Sequence, residues 1–392
     1  MYFKLIVMRE YITIRNVGPL KNIERLEVRP LTVLIGESAI GKSTLMKVLI
    51  LMRYIFKRAN IRSFLKHSNI TRAPFHILFN SLTSSTNLSS LFKRGAYIDY
   101  EVEMGQGRSY HLTYEMGKKL SLPNINKEDL TFGKESFISE NRNIIPSWTA
   151  NVLTNKNASL GFYFHETMND FGQAIKDDCT YSLSHLGLNL TIEHPKGRPV
   201  KMTVEPLDKS YSAVNLVEAS SGVQTSASLS VIVQHFANAY SFKDAFRRSV
   251  LDYLFDSEQL TKFSPVIELS DIPKYVHIHI EEPELSLFPD AQCYLIDDIV
   301  RIALQPHTDD RKIGLIMATH SPYILNYLNV ILHQQAEGRA HVDASEMAVY
   351  RIFDGKAQSL LVTDEDGKAM VDTYDLTEMM SSIYSEYTEL SK

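Results

Sequence analysis

Gly36-Glu37-Ser38-Ala39-Ile40-Gly41-Lys42-Ser43-Thr44 fits the pattern G-x-x-x-x-G-K-[ST]. It stands between Leu31 to Ile35, a short β-type run, and Lys42 to Lys57, which is apolar at helical spacing through Leu45, Val48, Leu49, Met52, Ile55 and Phe56. Strand, glycine loop, helix is the order that a phosphate-binding loop requires. The glycines let the backbone curl until several N–H groups and the helix N-terminus point at one anion. Lys42 adds a point charge for the β- and γ-phosphates of a nucleoside triphosphate, and Ser43 offers a hydroxyl to Mg²⁺. The loop alone leaves the reaction open, because kinases, GTPases and motors share it.

A second constellation lies late in the chain. Tyr275-Val276-His277-Ile278-His279-Ile280-Glu281-Glu282-Pro283-Glu284 is a strongly β-type run that ends in adjacent carboxylates. A parallel strand beside the loop strand would deliver both to the phosphates. Glu281 would then hold Mg²⁺, directly or through water. Glu282 would orient, or take a proton from, the water that attacks the γ-phosphate. Read alone, the pair is equally a solvent-facing acidic strand end. His320, in Met317-Ala318-Thr319-His320-Ser321-Pro322, follows the apolar strand Ile313 to Ala318, again at an end facing the ligand crevice. A lone histidine is more often structural than catalytic. Glu218-Ala219-Ser220-Ser221-Gly222-Val223-Gln224 precedes a helical pattern, so Ser221 and Gly222 read either as an anion site or as an ordinary serine cap.

The rest of the chain supplies the frame. Tyr11 to Arg15 is β-type, with a turn at Gly18-Pro19. Between Ile61 and Lys209 the signals weaken to hairpins, Tyr97 to Met104 with Tyr110 to Tyr114 and Leu188 to His194 with Pro199 to Val204, which reads as an inserted lobe. Leu120 to Asn157 shows no firm period and is expected as loops. Helices are expected at Gln224 to Tyr240, Lys243 to Phe255, Asp290 to Leu304, Tyr323 to Gln335 and Leu376 to Leu390. A hairpin of Ala348 to Ile352 with Ser359 to Val362 is expected around Asp354-Gly355.

Together and in order, GESAIGKST, EASSGVQ, IHIEEPELSLFP and MATHSP resemble the ABC-type ATPases of the SMC/RecF kind, and most closely the OLD-like (AAA-21 type) ATPases. The resemblance implies an α/β fold, a P-loop ABC-type ATPase head with a mixed core sheet and an inserted α+β lobe. Residues 1–60 would be the N-terminal half of the ATPase domain, 61–209 the lobe and 210–392 the C-terminal half. Gly36 to Thr44 is then the Walker A loop that binds ATP, Glu281 and Glu282 end Walker B, and Pro283 to Leu287 is the D-loop. His320 is the switch histidine and a catalytic residue beside Glu282 and Lys42, while Ser221 and Gly222 match the signature motif. Ser43 and Glu281 would hold Mg²⁺. Arg15 and Asn16, in the opening strand and turn, would lie near the adenine. Glu281 departs from the family's usual aspartate, SSGVQ departs from LSGGQ, and no Q-loop glutamine is assigned.

Such proteins bury ATP between the Walker A face of one subunit and the signature of another, which implies a homodimer or a higher even-numbered oligomer. The kinship suggests a regulatory ATPase of antiphage defence that controls a separate effector protein, a nuclease or toxin. Many relatives add a C-terminal Toprim nuclease; roughly 70 residues follow His320, so none is expected here. The competing reading is a DNA repair or chromosome-structure ATPase that clamps DNA. A membrane-transporter subunit fits less well with EEPE and the long middle lobe.

Composition bounds the partners. The net charge is -5 over 392 residues, so DNA or RNA would need a local basic surface. Ser38 to Ile98 holds no acidic residue but carries Lys47, Arg53, Lys57, Arg58, Arg62, Lys66, Arg72, Lys93 and Arg94 besides Lys42. This reads as a phosphate-tracking stretch or as ordinary solvated and salt-bridged positions. The two cysteines, Cys179 and Cys293, form no CxxC pair, which fits a cytoplasmic setting. No apolar run is long enough to span a bilayer, so no membrane partner is expected. His277 and His279 read as core residues, and Asp364-Glu365-Asp366 as a solvated loop.

Overall fold

The computed structural model describes residues 8–70, 77–150, 161–251, 254–255, 258–265 and 267–390. The chain opens with the hairpin β1 (Arg9–Val17) and β2 (Leu20–Val28) across the Gly18-Pro19 turn, then enters β3 (Leu31–Ile35) and α1 (Lys42–His67). Strand β2 was not expected from the sequence. A register shift between Ile12 and Ile14, opposite Arg25 in the left-handed region (φ 38°), breaks the alternation that would have marked it.

After the short helix α2 (Phe79–Ser85), β4 (Phe92–Met104) and β5 (Arg108–Glu115) form the expected hairpin. It does not stand apart: β4 pairs with β1 from Arg9 opposite Glu103 to Val17 opposite Phe92, giving an antiparallel sheet β2-β1-β4-β5. Strand β6 (Phe132–Ile138) then adds an edge to the core sheet, inside a stretch expected to be loops. Its polar residues find partners far away in sequence. Lys134 and Ser136 bond Asp170, and Glu135 bonds His277. Helices α3 (Ile145–Thr149) and α4 (Phe162–Ala174) follow, then a four-stranded antiparallel sheet of β7 (Cys179–Leu183), β8 (Leu188–Glu193), β9 (Lys201–Pro206) and β10 (Val214–Asn215). Within 61–209, therefore, the strands of 92–138 join the sheets of the two flanking segments, and only β7 to β10 form a sheet of their own.

The remaining elements are α5 (Ser221–Asn238), α6 (Phe242–Phe246), β11 (Lys274–Glu281), α7 (Pro289–Leu304), β12 (Lys312–Thr319), α8 (Pro322–His333), β13 (Met347–Phe353), β14 (Lys356–Ser359), β15 (Leu361–Thr363), β16 (Ala369–Val371) and α9 (Tyr374–Leu390). The helix expected through Phe255 is α-helical over Phe242–Phe246, π-helical over Arg247–Leu251 and α-helical again at residues 254–255. The hairpin at Asp354-Gly355 closes with Lys356–Ser359, not Ser359 to Val362, because β15 turns away to pair with β16.

The core sheet runs β14-β13-β3-β12-β11-β6, parallel except for β14, so the expected α/β class with a mixed sheet holds. Strand β11 shows why it is central. Val276, Ile278 and Ile280 are fully buried on one face, and His277 and His279 are buried on the other, against α1 and β1. There Arg53 of α1 forms an ion pair with Glu10 of β1 at 2.8 Å and meets His279 at 3.1 Å, while His277 bridges Glu10 and Glu135. Buried charges persist only when paired in this way. Helix α1 is thus buried nearly all round, between the antiparallel sheet and the core sheet. No helix among the described residues is long and apolar enough to cross a membrane.

Candidate active site

The loop after β3 is shaped by contacts that only glycine permits. A Cβ on Gly36 would lie 2.5 Å from the Ile352 carbonyl oxygen, and Gly41 (φ 118°) would place one 2.7 Å from Leu20. The turn between β1 and β2 therefore braces the loop from outside. Ala39 also sits in the left-handed region, at φ 63°, a conformation costing about 1–2 kcal/mol for an L-residue. Lys42 curls inward and donates to the carbonyls of Gly36 (2.7 Å) and Glu37 (2.8 Å). Burial lowers its pKa, against the pull of Glu282 and Glu284. The first turn of α1 holds no acidic residue, so its positive end is free to meet an anion.

Strands β3, β12 and β11 are neighbours, and their C-terminal ends place the other candidates beside this loop. Glu281 is 4% exposed, with Oε1 3.4 Å from Lys47 Nζ and Oε2 buried without a hydrogen-bond partner. Burial, and then the neighbouring Glu140 carboxyl, push its pKa up to about 7, while Lys47 and Ser43 act the other way. Glu140 is held low by its contact with Glu281. An orphaned carboxylate oxygen beside a hydroxyl and a second carboxyl is a hard-oxygen set that fits Mg²⁺. Sequence reasoning named Ser43 and Glu281 but missed Glu140 and Lys47.

Glu282 turns the chain at φ 44°, with its N–H donating to the Ala318 carbonyl at 2.8 Å. Its Oε1 lies 3.9 Å from His320 Nε2, both side chains being more than a third exposed. Glu284 fixes the other side of this turn, accepting from Thr319 Oγ1 (2.9 Å) and the His320 N–H (2.7 Å). Its place in the EEPE run was the available signal. Ser321 caps α8 by accepting from the Ile324 N–H.

Ser221 is the exposed first residue of α5, whereas Gly222 is buried: a Cβ there would stand 2.6 Å from the Ser286 carbonyl oxygen. Among the described residues no hydrogen bond joins either to the 36–44 loop of the same chain. Arg15 and Asn16 are exposed at the end of β1; Arg15 lies over the Tyr97 ring at 5.7 Å and Asn16 donates to the Gly95 carbonyl. Tyr97 went unnoticed in the sequence.

The basic stretch from Ser38 to Ile98 is not one surface. Lys42 and Lys47 belong to the loop and Glu281, and Arg53 is buried on Glu10. Lys57 lies 5.7 Å over the Phe132 ring, its pKa pushed down to about 8 by burial. Arg62, Lys66, Lys93 and Arg94 are exposed, and Arg72 lies outside the described residues.

Comparison with known proteins finds that the family described as "AAA ATPase domain" matches residues 112–325, more than half of the chain. No curated protein matches. Among solved structures the chain is similar to an SMC head domain from Thermotoga maritima, at 10% identity over 91% of this chain and 99% of that one, with a TM-score of 0.35. It is also similar to the recombination mediator protein RecF-ATPrS of the RecFOR pathway, at 11% identity over 91% and 98% of the two chains, with a TM-score of 0.36.

Proposed function

Because the chain belongs to the AAA ATPase domain family and is an ATPase, we propose that it hydrolyses ATP at the crevice above β3, β12 and β11, in a site completed by a second copy of the chain. The observation that carries this reading is the cluster itself: Lys42, Ser43, Glu281, Glu282 and His320 stand at the ends of three adjacent parallel strands. The 36–44 loop and the α1 N-terminus take the phosphates, and Lys42 leaves its loop carbonyls for the β- and γ-oxygens. Ser43 and Glu281 hold Mg²⁺, which when bound neutralises charge on those oxygens. Glu282 takes a proton from the water that attacks the γ-phosphorus as the bond to ADP breaks, and His320 steadies the γ-phosphate. Arg15, Asn16 and the adjacent Tyr97 ring form a platform for the adenine.

The position of Ser221, exposed at a helix N-terminus and unbonded to its own loop, supports the second copy. There it would meet the partner protomer's nucleotide. ATP then closes an even-numbered assembly and hydrolysis reopens it, a switch whose range is set by the difference in ATP affinity between the two states. The ordered motif set supports a regulatory role, controlling a separate nuclease or toxin in antiphage defence. The DNA-clamp reading keeps the exposed Arg62, Lys66, Lys93 and Arg94 as its basis, without Arg53, which is buried on Glu10.

The test is mass photometry and phosphate release for wild type and Glu282→Gln, with and without ATP and Mg²⁺. The expected result is an ATP-dependent even-numbered assembly that persists in the variant, with hydrolysis reduced by about 10²–10⁴-fold. A monomer unchanged by ATP in both proteins refutes the composite site.

A further inference from the structure

Among the described residues Arg142 is the largest side chain with essentially no exposure, and it has no part in the chemistry above. It follows β6 in a short 3₁₀ turn, Glu140–Ile144. Among the described residues no carboxylate pairs with it. Its guanidinium instead donates to backbone carbonyls from three segments: Ser139 (3.2 Å), Glu281 (2.7 Å), Glu282 (2.6 Å) and Pro283 (3.5 Å), and Thr225 of α5 (3.3 Å). Burial pulls its pKa down to about 10, although the carboxylates of Glu284, Glu282, Glu140 and Glu281 favour the cation. A buried cation whose hydrogen bonds all run to carbonyls of separate segments ties those backbones together, because its rigid fork cannot follow one segment without straining the bonds to the others.

The carbonyls it gathers are informative. Those of 281–283 define the turn that aims Glu282, a residue held in the left-handed region. Thr225 lies one helical turn beyond Ser221, and the same residue's Oγ1 donates to the Leu285 carbonyl at 3.0 Å. The start of α5 also presses on residue 286 through Gly222. Arg142, like the Thr225 hydroxyl, therefore touches both the hydrolytic turn and the helix whose exposed end faces outward.

We propose that Arg142 is a positioning residue that ties the Glu282 turn to the Ser221 helix, so that seating a second protomer's nucleotide on that helix sets the geometry of hydrolysis. This rests on the two-protomer ATPase reading above. A shift of the α5 start drags Thr225, and through the planar, five-donor guanidinium it moves the carbonyls that orient Glu282. Lysine, a point donor with no fork, cannot reproduce the linkage.

The experiment uses the full chain as wild type, Arg142→Lys and Arg142→Ala. Three quantities are read: ATP affinity with a fluorescent analogue, assembly by mass photometry, and hydrolysis per subunit across a protein-concentration series. Both variants should bind ATP within about threefold of wild type and still assemble. Hydrolysis should fall roughly 100-fold in Arg142→Ala, the order expected when a catalytic group is misplaced by about 1 Å, and should no longer rise with assembly. Added guanidinium should recover activity in Arg142→Ala but not in Glu282→Gln. Arg142→Lys assembling and hydrolysing as wild type overturns the proposal, as does an Arg142→Ala loss that tracks loss of ATP affinity and is not recovered by guanidinium. A wild type that neither assembles nor hydrolyses overturns the parent reading, and this one with it.

Discussion

Gly222→Ala separates packing inside the chain from contact across a dimer. The new Cβ would lie 2.6 Å from the Ser286 carbonyl oxygen and 3.3 Å from Leu287 Cδ2, where ordinary contact begins at 3.4 Å. The backbone must give by about 0.8 Å, and neither side yields cheaply. Ser286 is already at φ 60°, and α5 is anchored by Thr225 on Leu285 and by Arg142 on Thr225. Overpacking of this kind costs about 1–3 kcal/mol, offset by up to roughly 1 kcal/mol of helix propensity gained over glycine. A cost of about 2 kcal/mol, the middle of that range, less this offset leaves about 1–2 kcal/mol, which should lower the midpoint of thermal unfolding of a 392-residue chain by about 1–2.5 °C. Differential scanning fluorimetry reads the shift without nucleotide, and phosphate release reads the accompanying loss of hydrolysis. An unchanged or raised midpoint with hydrolysis lost would refute the packing argument and leave Gly222 acting only on a partner's nucleotide.

Breaking the buried Glu10–Arg53 pair with Arg53→Met leaves Glu10 to His277 and the Tyr100 hydroxyl and should cost up to about 3–5 kcal/mol in urea unfolding, with no change in the salt dependence of any nucleic-acid binding. His277 has its pKa raised by Glu135 and Glu10 against burial and Arg53. Its stabilising share is therefore complete below the unfolded value near 6.5 and is lost as pH rises through the higher folded value. The unfolding midpoint should fall as pH rises above the unfolded value near 6.5, and His277→Gln should flatten that dependence; an equally steep curve in the variant would assign it to another group. Gly36→Ala, with its Cβ 2.5 Å from the Ile352 carbonyl, should abolish ATP binding in fluorescent-analogue titrations, because the loop and β13 cannot both keep their places.

The parts legible in the sequence are those whose chemistry is local. The 36–44 loop works through its own backbone, so strand, glycines and helix sit side by side in the chain. The carboxylates of β11 and His320 likewise end apolar strands that announce themselves. Strand β6 stayed hidden because Lys134, Glu135 and Ser136 look like loop residues until Asp170 and His277 are brought against them. With β6 went Glu140 and Arg142, whose roles exist only through parallel pairing with β11. In the basic stretch the salt-bridged alternative holds for Arg53, and its partner stayed hidden for the same reason: Glu10 lies on β1, where no spacing rule reaches. The middle segment was grouped as one lobe because nothing local reveals that β4 lies along β1.

The order of strands has a consequence for how the molecule is made. Strand β3 carries the nucleotide loop, yet both of its neighbours, β12 and β13, come from beyond residue 311. A chain leaving the ribosome thus exposes the 36–44 loop long before the strands that flank β3 exist, by on the order of half a minute at ordinary synthesis rates. During that interval Gly36 has no Ile352 carbonyl to lean on and Ser43 has no Glu281 opposite it. The proposed ATP site would therefore be complete only once the chain has been synthesised through Phe353, and nucleotide retention by a nascent chain would report that point.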